Sequence, residues 1–120
     1  MTPRSLPRAL ALGALIATAA NAQAAPDGKQ ISTQGANGAP ACVTCHGARG
    51  EGNPAAGFPQ LAGIGAKYLA EQLEAMANGS RVSPVMAATA KALDPAQQEA
   101  VASYYASLPS PLNTCLLYTS

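Results

Sequence analysis

The chain has 120 residues and a formal net charge of +1, and 48% of its residues are hydrophobic while only 4% are aromatic. This length suits one small domain, and the lack of a strongly basic balance argues against nucleic acid as a partner. Because one Phe, four Tyr and no Trp can fill little core volume, such a domain often needs a bound metal or cofactor to stabilise it.

The first 24 residues have the pattern of a secretory signal peptide. Arg4 and Arg8 precede an apolar run over 9–20, and Ala22-Gln23-Ala24 has the small-x-small form that a signal peptidase cleaves. A membrane anchor is the alternative, but the run is shorter than the ~20 residues that span a bilayer. We therefore predict export to the periplasm, cleavage near Ala24 and no stable membrane insertion afterwards. The remaining segment holds five basic and six acidic side chains, a charge of about −1.

The last six residues are predicted to be foreign to the protein. Residues 115–120 are what TGT CTC TTA TAC ACA TCT encodes, a transposase adapter used to prepare sequencing libraries. On this interpretation Cys115 has no biological role and the natural chain continues past about Thr114; the alternative is a genuine exposed thiol. We assign 1–24 to the signal peptide, 25–109 to the domain, 110–114 to the start of a linker or tail and 115–120 to an artefact.

Helical periodicity and its breakers predict an all-α domain with about three main helices and long loops. No stretch alternates as a strand would. A loop over 47–65 contains six glycines and two prolines, and its length suggests that it wraps around a ligand. Asp94 and Pro95 suit the start of the final helix, and Pro109 ends it. The predicted helical segments are 28–34, 41–46, 66–78, 85–93 and 95–108.

Cys42-Val43-Thr44-Cys45-His46 has the C-x-x-C-H form of a haem c attachment site. Two cysteines three apart on a helical turn point to the same side, so each thiol can add across one vinyl group of a porphyrin. The adjacent His46 can then place a ring nitrogen on the iron. We predict one covalently bound haem c, held by Cys42, Cys45 and His46.

Three other interpretations of the motif are weaker. Structural zinc needs four protein ligands, and the part after the leader offers two cysteines besides Cys115 and a single histidine. A thioredoxin-like redox pair is expected in a βαβ context, which the pattern lacks. A plain disulfide would leave His46 unexplained.

Thioether sulfur is the favoured second axial ligand of an electron carrier, because it stabilises ferrous iron. Met76 falls in the apolar stripe of the 66–78 helix, where core packing is its expected role. Met86 follows a loop, which can bring sulfur to the iron without crowding by a helix backbone, so we favour Met86. If Met86 is not a ligand, the iron is five-coordinate and open to small gases.

Pro59 is the candidate partner of His46. A ligating histidine usually donates its other ring N–H to a carbonyl, and Pro59 lies shortly after the attachment turn. Simple stiffening of the loop is the alternative role for this proline.

Several segments over residues 38–109 resemble class I cytochromes c, most of all the c4-type branch, which includes dihaem proteins. The motifs are Cys42-Val43-Thr44-Cys45-His46-Gly47, Gly57-Phe58-Pro59-Gln60-Leu61-Ala62-Gly63, Tyr68-Leu69, Gln72-Leu73, Asn78-Gly79-Ser80-Arg81, Pro84-Val85-Met86 and Ala102-Ser103-Tyr104-Tyr105-Ala106-Ser107-Leu108.

This resemblance implies the cytochrome c fold around one haem. It also implies thioethers at Cys42 and Cys45, iron ligation by His46 and Met86, and the Pro59 carbonyl as the partner of His46. Relatives often carry a second Met shortly after the ligand, whereas this chain has Ala88 or Thr89 there.

The function that these features favour is single-electron transfer in a respiratory chain, without catalysis of its own. The expected partners are redox proteins, namely an electron-donor complex and a terminal oxidase or dehydrogenase. A haem subunit of a larger dehydrogenase or oxidase, the N-terminal half of a dihaem cytochrome, and a gas or redox sensor are the alternatives. The only histidine is assigned to the iron, which leaves no distal histidine for catalysis.

Overall fold

The structure, a computed structural model, describes residues 1–18 and 24–111, and residues 1–18 are exposed and form neither helix nor strand. Most of the predicted cleavage motif, the end of the predicted linker and the suspected artefact at 115–120 lie outside the described residues. No helix in the described ranges combines the length and the apolar character needed to cross a membrane.

The prediction of an all-α domain is confirmed, since the described residues form helices and loops and contain no strand. The first and third predicted helices have the observed bounds. The fourth is shorter than predicted, and the last ends at Ser107 because Leu108 is extended before Pro109, as the residue before a proline tends to be. The helices are α1 Gly28–Gln34, α2 Val43–His46, α3 Ala66–Asn78, α4 Ala87–Ala92 and α5 Pro95–Ser107, and a 3₁₀ turn spans Pro54–Ala56.

Side-chain capping explains where α1 and α5 begin. The Asp27 side chain accepts a hydrogen bond from the Gln30 N–H (3.2 Å) at the start of α1. At α5, the Asp94 carboxylate accepts from the Gln97 N–H (2.8 Å) while the Gln97 side chain accepts from the Asp94 N–H (3.0 Å). This reciprocal capping box satisfies N–H groups that have no partner within the helix.

Helix α5 is the centre of the packing, because both α1 and α3 lie against it, and α4 lies against α3. At the crossing with α1, a Cβ on Gly28 would lie 2.1 Å from the Ala100 carbonyl oxygen. Only glycine therefore permits this approach of the two backbones. The buried cluster at these contacts consists of Ile31, Ala39, Leu93, Val101 and Tyr105.

Tyr105 also fixes the long glycine-rich loop against α5. A Cβ on Gly50 would lie 2.7 Å from the Tyr105 ring, and Gly50 has a φ of +68°. The Gly63 N–H donates to the Tyr105 carbonyl oxygen (2.9 Å). The loop is thus anchored at two points on one residue, which orients the segment between α2 and α3.

Candidate functional site

The C-x-x-C-H segment is a single helical turn. The N–H groups of Cys45 and His46 both donate to the Cys42 carbonyl oxygen, over 3.2 and 2.9 Å. Cys45 is exposed, whereas Cys42 is half-buried and packs against the core cluster. Burial raises the pKa of the Cys42 thiol. Both thiols are free, so the turn presents two sulfhydryl groups in different surroundings.

His46, at the end of α2, is 6% exposed. Its Nδ1 lies 2.8 Å from the Pro59 carbonyl oxygen. Because a carbonyl oxygen can only accept, the neutral ring must carry its proton on Nδ1, and the lone pair is then on Nε2. The Phe58 ring lies edge-on to the imidazole, with 6.1 Å between ring centroids. These contacts fix the orientation of the imidazole with the nitrogen that can bind iron unprotonated.

The backbone after His46 reverses sharply. Gly47 has a φ of +90°, and a Cβ there would lie 2.4 Å from the carboxyl carbon of Glu51. The Glu51 carboxylate accepts from the Arg49 N–H (2.8 Å), and backbone N–H donors, its own and that of Arg49, lower its pKa. The Gly52 N–H donates to the His46 carbonyl oxygen (2.8 Å). This closed turn holds the end of α2 and directs the chain towards Pro59.

The two candidate methionines occupy different surroundings. Met86 is half-buried at the N-cap of α4, where its N–H donates to the Ser83 hydroxyl (3.3 Å) and its carbonyl accepts from Ala90. Met76, in α3, lines a cavity of about 230 Å³ together with Pro84 and Ala87. Met76 therefore faces the loop that follows α3 and the start of α4, where it has a packing role. Met86 lies at the junction of that loop with α4.

The packing of α3 fits a bulky apolar group beside it. Leu69, Leu73 and Met76 form the apolar stripe of this amphipathic helix, yet α3 has no fully buried residue. Across the described part of the chain, the largest side chain with less than 2% exposure is that of Ser32. The protein atoms alone thus leave the apolar stripe of α3 partly uncovered, as expected if a porphyrin packs against this helix.

The comparisons with known proteins decide the family. The family model described as Cytochrome c matches residues 25–109. This chain belongs to the cytochrome c family. Members hold haem c covalently and carry electrons, so the predicted cofactor and the electron-transfer role of this domain are confirmed at that level, as is the predicted fold.

Relatives of this cytochrome c include two proteins named thiosulfate dehydrogenase electron acceptor. The one from Thiomonas intermedia is 49% identical over 81 residues, which cover 63% of this chain and 37% of that protein. The one from Stutzerimonas stutzeri is 50% identical over 92 residues, covering 75% and 42%. The chain therefore spans about two fifths of the length of these curated relatives.

Among solved structures, cytochrome c4 of Acidithiobacillus ferrooxidans matches with a TM-score of 0.64 and 42% identity, covering 68% of this chain and 47% of that one. A thiosulfate dehydrogenase from Marichromatium purpuratum matches with a TM-score of 0.66 and 40% identity, covering 69% of this chain and 18% of that one. The resemblance to the c4-type branch is confirmed.

Sequence reasoning missed one feature of this site. In the sequence Tyr105 stands out only as a member of the family-like segment over 102–108, but its hydroxyl lies beside the Cys42 thiol and the Ser32 hydroxyl. Side-chain contacts between residues so far apart along the chain leave no local signal in a single sequence.

Proposed function

We propose that this cytochrome c domain is a periplasmic single-electron carrier of a respiratory chain and not itself an enzyme. Cys42 and Cys45 would hold its haem c through thioether bonds, and His46 and Met86 would bind the iron. The observation that carries this proposal is the 2.8 Å hydrogen bond by which Nδ1 of His46, the histidine of the C-x-x-C-H turn, donates to the Pro59 carbonyl oxygen. The leader pattern of residues 1–24 supports export.

When bound, haem supplies an iron that alternates between the ferric and ferrous states. His46 contributes Nε2 in a fixed orientation, because Nδ1 is held by Pro59 and the ring is buried. Met86 contributes a soft sulfur, which favours the ferrous state and raises the reduction potential. If both His46 and Met86 hold the iron in each oxidation state, little of the surrounding protein would need to rearrange, which would favour fast electron transfer.

A role beside a dehydrogenase is the second candidate for the whole protein. It is supported by the identity of about one half to two thiosulfate dehydrogenase electron acceptors. In this case the domain receives electrons from a dehydrogenase and passes them on. Because the chain spans only part of those relatives, a second haem domain, as in a dihaem cytochrome, is compatible with either role.

Carbon monoxide distinguishes a carrier from a gas-binding haem protein. We expect the reduced, haem-loaded protein to leave its spectrum unchanged under carbon monoxide, because Met86 occupies the sixth position. Oxidation and reduction should follow a reversible one-electron curve. Rapid carbon monoxide binding by freshly reduced protein would contradict the proposed coordination and favour a sensor.

An apolar surface beside Met86 is the proposed docking site for redox partners. Among the described residues after the leader, the exposed large apolar side chains are Tyr68, Val82 and Val85, and the two valines are 85% and 68% exposed. Arg81 and Lys91 line the adjoining cavity, which has no acidic residue in its wall. A partner with an apolar patch and an acidic rim would complement this surface.

Replacing both valines by asparagine (Val82→Asn with Val85→Asn) should slow electron transfer from the partner on the order of tenfold, equivalent to about 1.4 kcal/mol. The reason is the loss of apolar area buried in the transient complex. The midpoint potential should stay the same, since net charge does not change. Stopped-flow mixing with the reduced partner gives the second-order rate constant. Thr33→Asn, an exposed change on α1, is the control, and an equal rate in the double variant would contradict the assignment.

A further inference from the structure

Tyr105 carries a buried hydroxyl that makes no hydrogen bond to the described protein residues. The side chain is 3% exposed, and its oxygen is shielded from solvent. A buried donor without an acceptor is costly, so such groups are rarely left unpaired. This hydroxyl therefore needs a partner in the mature protein.

Two polar groups lie next to the Tyr105 hydroxyl, on Ser32 of α1 and Cys42 of the attachment turn. The Ser32 hydroxyl is fully buried and already donates to the Lys29 carbonyl oxygen (2.8 Å). Because the single proton of the Ser32 hydroxyl is used in that bond, Ser32 cannot also donate to Tyr105. In the free chain the Cys42 thiol retains a proton of its own.

The ring of Tyr105 cannot turn its hydroxyl away from this place. Gly50 packs directly on one edge of the ring, and the Tyr104 ring lies 5.3 Å away, centroid to centroid. Burial, the larger cause, and the charge interaction with Cys42 raise the pKa of the Tyr105 hydroxyl in the free chain, and burial persists once Cys42 is a thioether. Tyr105 therefore stays protonated and remains a hydrogen-bond donor in a fixed position.

Attachment of haem changes the chemistry of Cys42 in a defined way. The S–H bond breaks, a C–S bond forms to one vinyl carbon, and the hydrogen passes to the other vinyl carbon, with no net oxidation. The resulting thioether sulfur has no proton and can only accept a hydrogen bond. A weak acceptor in a buried place is still favourable where water has no access.

We propose that the Tyr105 hydroxyl donates a hydrogen bond to the Cys42 thioether sulfur of the haem-loaded protein, and that Tyr105 is thereby a positioning residue that raises the reduction potential. The hydrogen bond withdraws electron density from the sulfur and, through it, from the porphyrin. Less electron density on the porphyrin favours the ferrous state, because hydrogen bonds around a haem are one of the ways a protein sets its potential. This inference depends on the attachment of haem at Cys42 proposed above.

The test compares haem-loaded Tyr105→Phe with Tyr104→Phe. The first removes the hydroxyl beside Cys42 and keeps the ring, and the second removes the hydroxyl of a neighbouring tyrosine. We expect Tyr105→Phe alone to lower the midpoint potential measured by spectroelectrochemistry. We also expect the C–S stretching band in resonance Raman spectra to shift in D₂O for the unmodified protein and to lose that shift in Tyr105→Phe.

Ser32→Ala distinguishes the two possible acceptors. If Ser32→Ala reproduces the drop in potential, the hydroxyl of Tyr105 acts through Ser32 and the inference is wrong. A Tyr105→Phe protein with unchanged potential and Raman bands also contradicts it, whatever its stability. Acid-acetone extraction of every variant comes first: release of pigment would contradict the attachment itself, whereas retained pigment with an unchanged potential would contradict only the role of Tyr105.

Discussion

A Met86→Ala variant should lose the sulfur-to-iron charge-transfer band of the ferric protein, and its midpoint potential should fall. Alanine offers no ligand, so water or no group would take the sixth position, and ferrous iron would lose the soft donor that stabilises it. Axial ligands shift haem potentials over a range of about 0.8 V, and we expect a decrease on the order of 0.1 V or more. Near-infrared spectra and spectroelectrochemistry measure the two effects.

Met76→Leu is the matched control for this experiment. Met76 lines the cavity between α3 and the segment that follows it, so a volume-conserving change there should cost less than about 1.5 kcal/mol of stability. The charge-transfer band and the potential should remain as in the unmodified protein. The ligand assignment fails if the band persists in Met86→Ala, and Met76 becomes the ligand if the band disappears in Met76→Leu.

Replacing Cys42 and Cys45 together with alanine should abolish covalent haem attachment, so that acid-acetone releases all the pigment. Each single variant should retain its pigment through the remaining thioether. The α-bands of the pyridine haemochromes should then move stepwise as thioethers are lost and vinyl groups are retained. These spectra report the number of thioethers directly.

The two single variants should differ in stability even though each loses one thioether. Cys42 packs against the buried cluster, whereas Cys45 is exposed. Cys42→Ala therefore removes core contacts in addition to the covalent bond, and chemical denaturation should show it to be less stable than Cys45→Ala, by about 1 kcal/mol. Equal free energies of unfolding for the two variants would show that the core contacts of the Cys42 side chain do not stabilise the protein. Pigment that resists extraction in the double variant would refute thioether attachment at these positions.

Much of the fold follows from short-range signals. Asp27, Asp94 with Pro95, and Gly79 mark helix ends through capping and a left-handed C-cap, which are properties of a few neighbouring residues. The bounds of α1 and α3 could therefore be predicted from the sequence alone. The exact extent of α4 could not, because Val85 and Met86 form a turn that depends on the Ser83 hydroxyl.

Contacts between distant segments lie beyond this kind of prediction. The need for glycine at position 28 becomes evident only when α1 is seen against Ala100 of α5. Gln98, which no sequence motif singles out, is buried and donates its side-chain N–H to the Ala90 carbonyl oxygen (3.1 Å), which joins α5 to α4. The Tyr105 hydroxyl beside Cys42 belongs to the same class, since 63 positions of sequence separate the two.

The residues of the candidate site likewise include some that neighbouring residues make predictable and others that depend on distant segments. Cys42, Cys45 and His46 are adjacent in sequence, so their chemistry could be recognised from the motif. The Pro59 carbonyl was proposed from chemical reasoning about histidine ligands, and the hydrogen bond to His46 is present in the structure. Support of iron ligation by the Pro59 carbonyl and ligation by Met86 are still predictions, and the Met86 variant above tests the second.

Mass spectrometry of the purified, matured protein measures most directly whether the thiols of the C-x-x-C-H turn hold a haem. We predict a polypeptide heavier by one haem, a peptide over residues 42–46 that carries the whole addition, and a red protein that keeps its colour in acid-acetone. A colourless protein of unmodified mass, or a pigment that the solvent removes, would contradict this.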